Sequence, residues 1–222
     1  MSYPVSGRGH PVRMRIVCIS DTHLAHQETD LRIPDGDLLI HAGDGTFEGT
    51  LAETTDFLKW LASLRHPRKV LIAGNHDWLF QKDPALARSI VPSGITYLED
   101  SEVEIHGLRI YGSPWQPEFL RWAFNLPRGP RLREKWGRIP RGIDVLVTHG
   151  PPAGILDLTP HGEHVGCEDL RLAVDKLEPR LHVFGHIHHG YGVRNVGSTR
   201  FVNASVSDEV YAPLNPPVVV DL

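Results

Sequence analysis

Five times along this chain a short apolar run ends in a small cluster of polar side chains able to hold a metal, and no other feature limits its folding so tightly. The run 69–73, Lys-Val-Leu-Ile-Ala, has the length and β-branched content of a buried strand and leads straight into Gly74-Asn75-His76-Asp77. The run 14–19 is nearly all apolar, as a strand covered on both faces must be, and passes into Ser20-Asp21-Thr22-His23. The run 37–42 ends at Gly43-Asp44-Gly45, with glycines that let the backbone approach a ligand closely. The runs 143–147 and 181–184 end at Thr148-His149-Gly150 and Gly185-His186-Ile187-His188. Open α/β sheets carry their chemistry beyond the carboxyl ends of their strands, which is where all five clusters fall. Taken singly each is also ordinary turn chemistry, since Gly-Asn is a common turn pair. Recurrence is what favours a shared site.

The remaining pattern predicts what lies between the runs. Thr50-Leu51-Ala52-Glu53 has the form of a capping box, and Thr54, Phe57, Leu58, Leu61 and Leu64 follow at helical spacing through Arg65. A short helix is expected over 83–91, and another with its apolar face at Leu170, Ala173, Val174 and Leu177, closed by Pro179. Strands are expected over 95–98, 102–105 and 108–111, the last two joined by His106-Gly107, so that the sheet turns antiparallel there. Residues 112–117 and 157–166 read as loops, 200–204 and 218–220 as final strands, and 1–11 as an irregular arm. Strand, strand, helix, strand, each strand with a polar exit, predicts a layered α/β architecture in one domain spanning 1–222. His41 lies within its strand and is expected to be a core histidine or a support behind the ligands rather than a ligand itself.

Composition excludes several classes of function. A net charge of −4 gives no basic footprint for nucleic acid. No run approaches the ~18 apolar residues of a membrane span. Two cysteines, Cys18 and Cys167, make no disulfide framework, and a cytoplasmic protein is expected. The 14 histidines are the anomaly, and they point to metal. Carboxylate, imidazole and amide oxygen together suit Mn, Fe or Zn. The donors are too many for one ion. Shared between two ions with Asp44 bridging, they give each ion four protein ligands. Two ions ~3.5–4 Å apart form a clamp that activates a water and stabilises the oxygens of an in-line displacement at phosphorus.

The ordered set Asp-x-His, Gly-Asp, Gly-Asn-His-Asp, Thr-His-Gly and Gly-His-x-His, running from Asp21 to His188, resembles that of the calcineurin-like metallophosphoesterases. The stretches Gly112-Ser113-Pro114-Trp115-Gln116-Pro117, Phe124-Asn125-Leu126-Pro127-Arg128-Gly129 and Asn215-Pro216-Pro217 are similar to the metallophosphoesterase-domain-containing subfamily. The resemblance implies a four-layer α-β-β-α sandwich with mixed sheets. It implies one ion held by Asp21, His23, Asp44 and His188 and a second by Asp44, Asn75, His149 and His186, manganese being the ion expected in vitro. His76 would face the scissile phosphate and protonate the leaving oxygen, with Asp77 holding His76 in orientation. The implied activity is hydrolysis of small phosphodiesters, cyclic nucleotides first among them, by a hydroxide bridging the ions. A phosphomonoesterase, or a weakly active nucleotide-binding scaffold, stands as the alternative. Besides Asn75 and His76, the expected substrate contacts are Trp115, Asn125, Arg128, Tyr191 and Asn203, each of which has a packing role as its rival reading. The mixture of Trp115, Phe119, Trp122, Phe124 and Trp136 with Arg121, Arg128, Arg131 and Arg133 suits either a pocket wall or a lid or small helical layer packed by its own aromatics. One departure is Leu24, where the superfamily often places glycine.

Overall fold

The computed structural model describes residues 13–27 and 31–222. The expected arm at 1–11 lies outside the described residues. In chain order the elements are β1 (Arg15–Ile19), β2 (Leu38–His41), α1 (Leu51–Ser63), β3 (Arg68–Leu71), α2 (Trp78–Lys82), α3 (Pro84–Ser89) and β4 (Ile95–Tyr97). The second half holds β5 (Ser101–Ile105), β6 (Leu108–Ser113), β7 (Gln116–Pro117), β8 (Asn125–Leu126), α4 (Pro130–Trp136) and β9 (Val145–Thr148). It continues with α5 (Glu168–Leu177), β10 (Leu181–Phe184), β11 (Gly192–Val196), β12 (Thr199–Asn203) and β13 (Val218–Asp221).

Two sheets face each other. The first runs β13-β1-β2-β3-β4, with β1 to β4 parallel and β13 antiparallel at its edge. The second runs β11-β12-β10-β9-β6-β5, parallel in its middle and antiparallel at both edges. Period-two alternation separates the layers. Ile16, Cys18, Leu38, Ile40 and Val70 point inward and meet Ile110, Val145, Val147, Val183 and Val202 between the sheets. Their strand neighbours Val17, Ile19, Leu39 and Leu71 point outward, onto Phe57, Leu58 and Leu61 of α1 and Phe80 of α2. On the far side Leu146, Phe184 and Phe201 pack against Leu132 and Trp136 of α4 and Leu170 and Val174 of α5. This is the four-layer α-β-β-α sandwich with mixed sheets. Strands covered on both faces need the near-continuous apolar runs that the sequence displays.

Several expectations change. The five polar exits do not belong to one sheet edge. Those after β1, β2 and β3 leave the first sheet and those after β9 and β10 leave the second, and they meet because the two sheets are stacked with their carboxyl ends together. β4 stays parallel to β3, and only β5 and β6 form the hairpin, within the second sheet. The stretch 112–117 is not all loop: Gly112 and Ser113 extend β6, and β7 pairs with β8. α2 and β11 escaped prediction. The first has five residues, too few to show a helical period, and the second is an exposed edge whose side chains need not be apolar. At α1 the Thr50 hydroxyl accepts from the Glu53 N–H at 3.2 Å, as expected of a cap, but the Glu53 carboxylate reaches back to the Glu48 N–H rather than to Thr50.

Candidate metal centre

Three histidines of the cluster are each held by a backbone carbonyl through one ring nitrogen, which leaves the other for the site. His23 Nδ1 lies 3.1 Å from the Thr46 oxygen, His149 Nδ1 2.9 Å from that of Ala42, and His188 Nδ1 2.7 Å from that of Asp208. A carbonyl accepts, so Nδ1 carries the proton and Nε2 presents its lone pair. His23 Nε2 is buried and has no hydrogen-bond partner. A polar atom left so is costly unless something else meets it.

What surrounds it has the composition of a metal site. The ligand atoms of Asp21, His23 and His188 lie within 4.8 Å of one another, and so do those of Asp44, His149 and His186. Asp44 Oδ2 is 3.1 Å from His149 Nε2 and 4.0 Å from His23 Nε2, which places one carboxylate between the two groups. The Asn75 amide oxygen is 2.9 Å from His149 Nε2. The seven side chains expected as ligands are thus brought together, three from the second sheet's exits and four from the first's. A third set, His23, Asp44 and His76, meets the same spacing. These donors fit a pair of transition-metal ions.

Electrostatics tie the two groups together. Burial opposes ionisation of Asp44 and Asp21, yet the charge and hydrogen bond of His149 hold the first, and those of His188 the second, well below the usual carboxylate range. Burial likewise opposes the charged forms of His149 and His188, but Asp44 and Asp21 raise each to about 9. Both imidazoles must give up that proton to act as ligands. Burial first, then the His149 charge, lower His186 to about 3 against the raising effect of Asp44 and Asp21, and burial drives His23 to about 4 against the raising effect of Asp44.

The backbone at these positions is unusual. Asp21, His23, Asp44 and His186 all have positive φ, between 40° and 67°. Such conformations cost ~1–3 kcal/mol each and persist where the surroundings enforce them. Leu24 also lies there, at φ 57°, so the loop keeps the shape a glycine would take freely, and the buried Leu24 side chain joins the core. Two further histidines brace the turns from within the strands. His41 Nε2 meets the Thr22 hydroxyl at 2.9 Å, and His182 Nε2 meets the Thr148 hydroxyl at 2.9 Å. Burial lowers both to about 3, so they are neutral struts, as His41 was expected to be.

The sheets approach so closely here that a Cβ on Gly185 would meet Asp21 Oδ2 at 2.1 Å and Ser20 Oγ at 2.2 Å. Gly185→Ala should therefore push Asp21 aside. We expect loss of bound metal and a fall in turnover of about 10²-fold, as for a catalytic group misplaced by ~1 Å. Unchanged metal content in that variant would show that Asp21 is not where the ion sits.

His76 is set apart by its surroundings. Its Nδ1 bonds the Phe47 carbonyl oxygen at 2.7 Å, and its ring lies against Trp122, 4.2 Å between centroids. Asp77 is not its orienter. The Asp77 carboxylate accepts instead from the N–H groups of Asp44, Gly45, Thr46 and Gly74 and from the Thr46 hydroxyl. It locks the β2 exit to the β3 exit. Burial first, then the Asp44 charge, push its carboxyl up to about 6 against those donors.

Above the cluster is a cavity of ≈ 360 Å³, walled by Phe119, Leu120, Trp122 and Tyr211 over Asp44, Asn75, His76, His186 and His188. None of Trp115, Asn125, Arg128, Tyr191 and Asn203 lines it. Trp115 donates to Asp100 at 3.1 Å and lies under Lys135. Asn125 donates to the Phe119 oxygen at 2.8 Å, Arg128 to the oxygens of Val165 and Gly166, and Tyr191 to that of Pro216. Asn203 is buried and holds the oxygens of Ile187 and Leu156. Each has a packing or bracing role instead. The aromatics that do face the cavity are Phe119 and Trp122, from the mixture noted in the sequence, and Tyr211, which sits in a loop with no period to single it out.

The calcineurin-like phosphoesterase family model matches residues 14–190. A metallophosphoesterase domain-containing protein 1 from Homo sapiens is 48% identical over 237 aligned residues, covering 96% of this chain and 72% of the relative. A UPF0046 protein of Caenorhabditis elegans is 39% identical, covering 96% of this chain and 61% of its own length. Among solved structures, a phosphopantetheinyl hydrolase from Mycobacterium tuberculosis superposes with a TM-score of 0.59 at 16% identity, covering 94% of this chain and 97% of its own.

Proposed function

The chain belongs to the calcineurin-like phosphoesterase family, and from that premise we propose that it is a dinuclear metal-dependent phosphodiesterase acting on small, nucleotide-like phosphodiesters. The observation that carries the diester reading is that, among the described residues, those lining the catalytic cavity include Glu209 and no arginine or lysine. A phosphomonoester dianion leaves two charges to be met. A diester carries one, and the ions and histidines answer it. The aromatic walls of Phe119, Trp122 and Tyr211 offer faces on which a ring could stack.

Asp21, His23, Asp44 and His188 would hold one ion, and Asp44, Asn75, His149 and His186 the other, with manganese, iron or zinc all compatible. Bound there, they supply Lewis acidity and a water made nucleophilic at neutral pH. The chain's own residues do the rest. The carbonyls of Thr46, Ala42 and Asp208 fix the ligand tautomers. His76, tethered through Nδ1 by the Phe47 oxygen and backed by Trp122, lines the cavity, where its doubly protonated ring would give the Nε2 proton to the leaving oxygen and be left neutral. Both cysteines are free and buried, which suits a reducing compartment, and a cytosolic setting is part of this proposal. No helix among the described residues is long and apolar enough to cross a membrane.

His76→Ala should keep both ions and lose ~10²–10⁴-fold in turnover. The loss should be largest for an alkoxide leaving group and smallest for a nitrophenolate, which departs without a proton. A loss independent of leaving group, or a lost ion, would place His76 among the ligands. Assay against cyclic nucleotides, dinucleotides and phosphomonoesters tests the substrate class, and a preference for monoesters would overturn the diester reading.

A further inference from the structure

A second cavity, of ≈ 310 Å³, opens beside the catalytic one and shares Phe119, Thr159, His186 and Ile187 with it. The rest of its wall is Pro117, Glu118, Arg128, Gly150, Pro151 and Val165. Its character turns on Arg128, the one arginine or lysine among the described residues of that wall. The guanidinium donates to the Val165 oxygen at 2.7 Å and the Gly166 oxygen at 2.8 Å and pairs with Glu168 at 2.6 Å. Both terminal nitrogens are engaged in tying the loop before α5 to the segment after β8, and Glu168 already answers the charge, so the fork that would grip an anion is occupied.

What remains is largely apolar: two prolines, Phe119, Val165 and Ile187. The wall is also built in advance. β7 and β8 pair, the Glu118 N–H donates to the Leu126 oxygen at 2.9 Å, and Asn125 holds the Phe119 oxygen. An apolar cavity of about 150 Å³ is enough for benzene, so this one has room for a substituted or fused ring. Preformed apolar recesses beside a few polar groups are how enzymes select the unreactive part of a substrate.

We infer that this cavity is the subsite for one ester arm of the substrate, a neutral aromatic or fused-ring group, seated behind Phe119 while the phosphate lies over Asp44. The inference rests on the phosphodiesterase reading above. It makes Arg128 a staple of the subsite wall rather than a phosphate ligand, and it makes Phe119 the partition between arm and reacting centre.

The test uses two diesters with the same nitrophenyl leaving group, one with a methyl second arm and one with a naphthyl second arm, on the manganese-loaded protein. The naphthyl substrate should show a kcat/KM about 10-fold higher or more, expressed in KM. Val165→Trp, which fills the cavity, should bring the ratio below about 3-fold, and the smaller Val165→Phe should give an intermediate value, circular dichroism reporting that both fold. Equal constants in the wild type, or a full ratio retained in Val165→Trp, overturns the subsite. Calorimetric binding of naphthylphosphonate against methylphosphonate gives a readout without turnover. If neither diester is hydrolysed, the phosphodiesterase reading fails, while tighter naphthylphosphonate binding that Val165→Trp removes still upholds the cavity. Equal binding of the two phosphonates overturns it.

Discussion

Asp44→Asn should cost the protein both ions and at least ~10³-fold in turnover. The Asp44 carboxylate is the one group that reaches both halves of the cluster, with Oδ2 3.1 Å from His149 and 4.0 Å from His23, while Oδ1 accepts from the His76 N–H at 2.8 Å. An amide keeps the shape but removes a unit of negative charge from a buried site that must balance two cations. Its NH2 group would also face either the His149 ring nitrogen or the His76 N–H. An ion's Lewis acidity is worth several kcal/mol in the transition state, and about 4 kcal/mol corresponds to ~10³-fold. The measurement is metal per chain by elemental analysis beside the rate on a bis-aryl phosphodiester. Two ions per chain and wild-type turnover in this variant would refute a shared carboxylate.

The candidate ligand set was legible in sequence because each member sits just after an apolar run, and a buried strand is among the clearest patterns a chain can show. Asp21, Asp44, Asn75, His149 and His186 could be placed without any contact being known. The layering was legible for the same reason, since runs such as Val17-Cys18-Ile19 have no polar face to leave in water. What could not be read was which sheet each strand enters. Tyr97 ends a strand of the first sheet and Ser101 begins one of the second, only four residues later, and nothing in that stretch marks the crossing.

The wall of the cavity over the cluster was misplaced for a related reason. Trp115 and Trp122 look alike in sequence, one beside Gln116 and the other beside Ala123. Only three-dimensional packing sends Trp115 to Asp100 and Lys135 and Trp122 to His76. Arg128 has the right chemistry for phosphate, but two carbonyls and Glu168 reach it first. Carbonyl partners such as those of Phe47 and Asp208 leave no trace in sequence at all, because every residue has one.

Asp77 shows how a correctly chosen residue can carry a different role, and Asp77→Asn distinguishes the two. Were Asp77 the orienter of His76, the variant would keep its stability and its metal and lose rate alone. In the structure its two oxygens take five donors, Oδ2 those of Asp44 and Gly74 at 2.8 Å, Oδ1 those of Gly45 and Thr46 at 3.1 Å and the Thr46 hydroxyl at 2.8 Å. Asparagine turns one acceptor into a donor: an NH2 in the place of Oδ2 leaves the buried Asp44 and Gly74 N–H groups unpaired, and in the place of Oδ1 it leaves that of Thr46 unpaired and Gly45 with only a 3.4 Å contact to the other oxygen. Each such group costs ~1–3 kcal/mol, so a destabilisation of about 4 kcal/mol is expected, against a total of ~5–15 kcal/mol for a folded domain. For a chain of this size that lowers the melting temperature by roughly 8–16 °C. Because the same donors hold the loops bearing Asp44, Asn75 and His76, metal content should fall along with stability. A variant that melts with the wild type and keeps both ions would return Asp77 to the role of orienting His76.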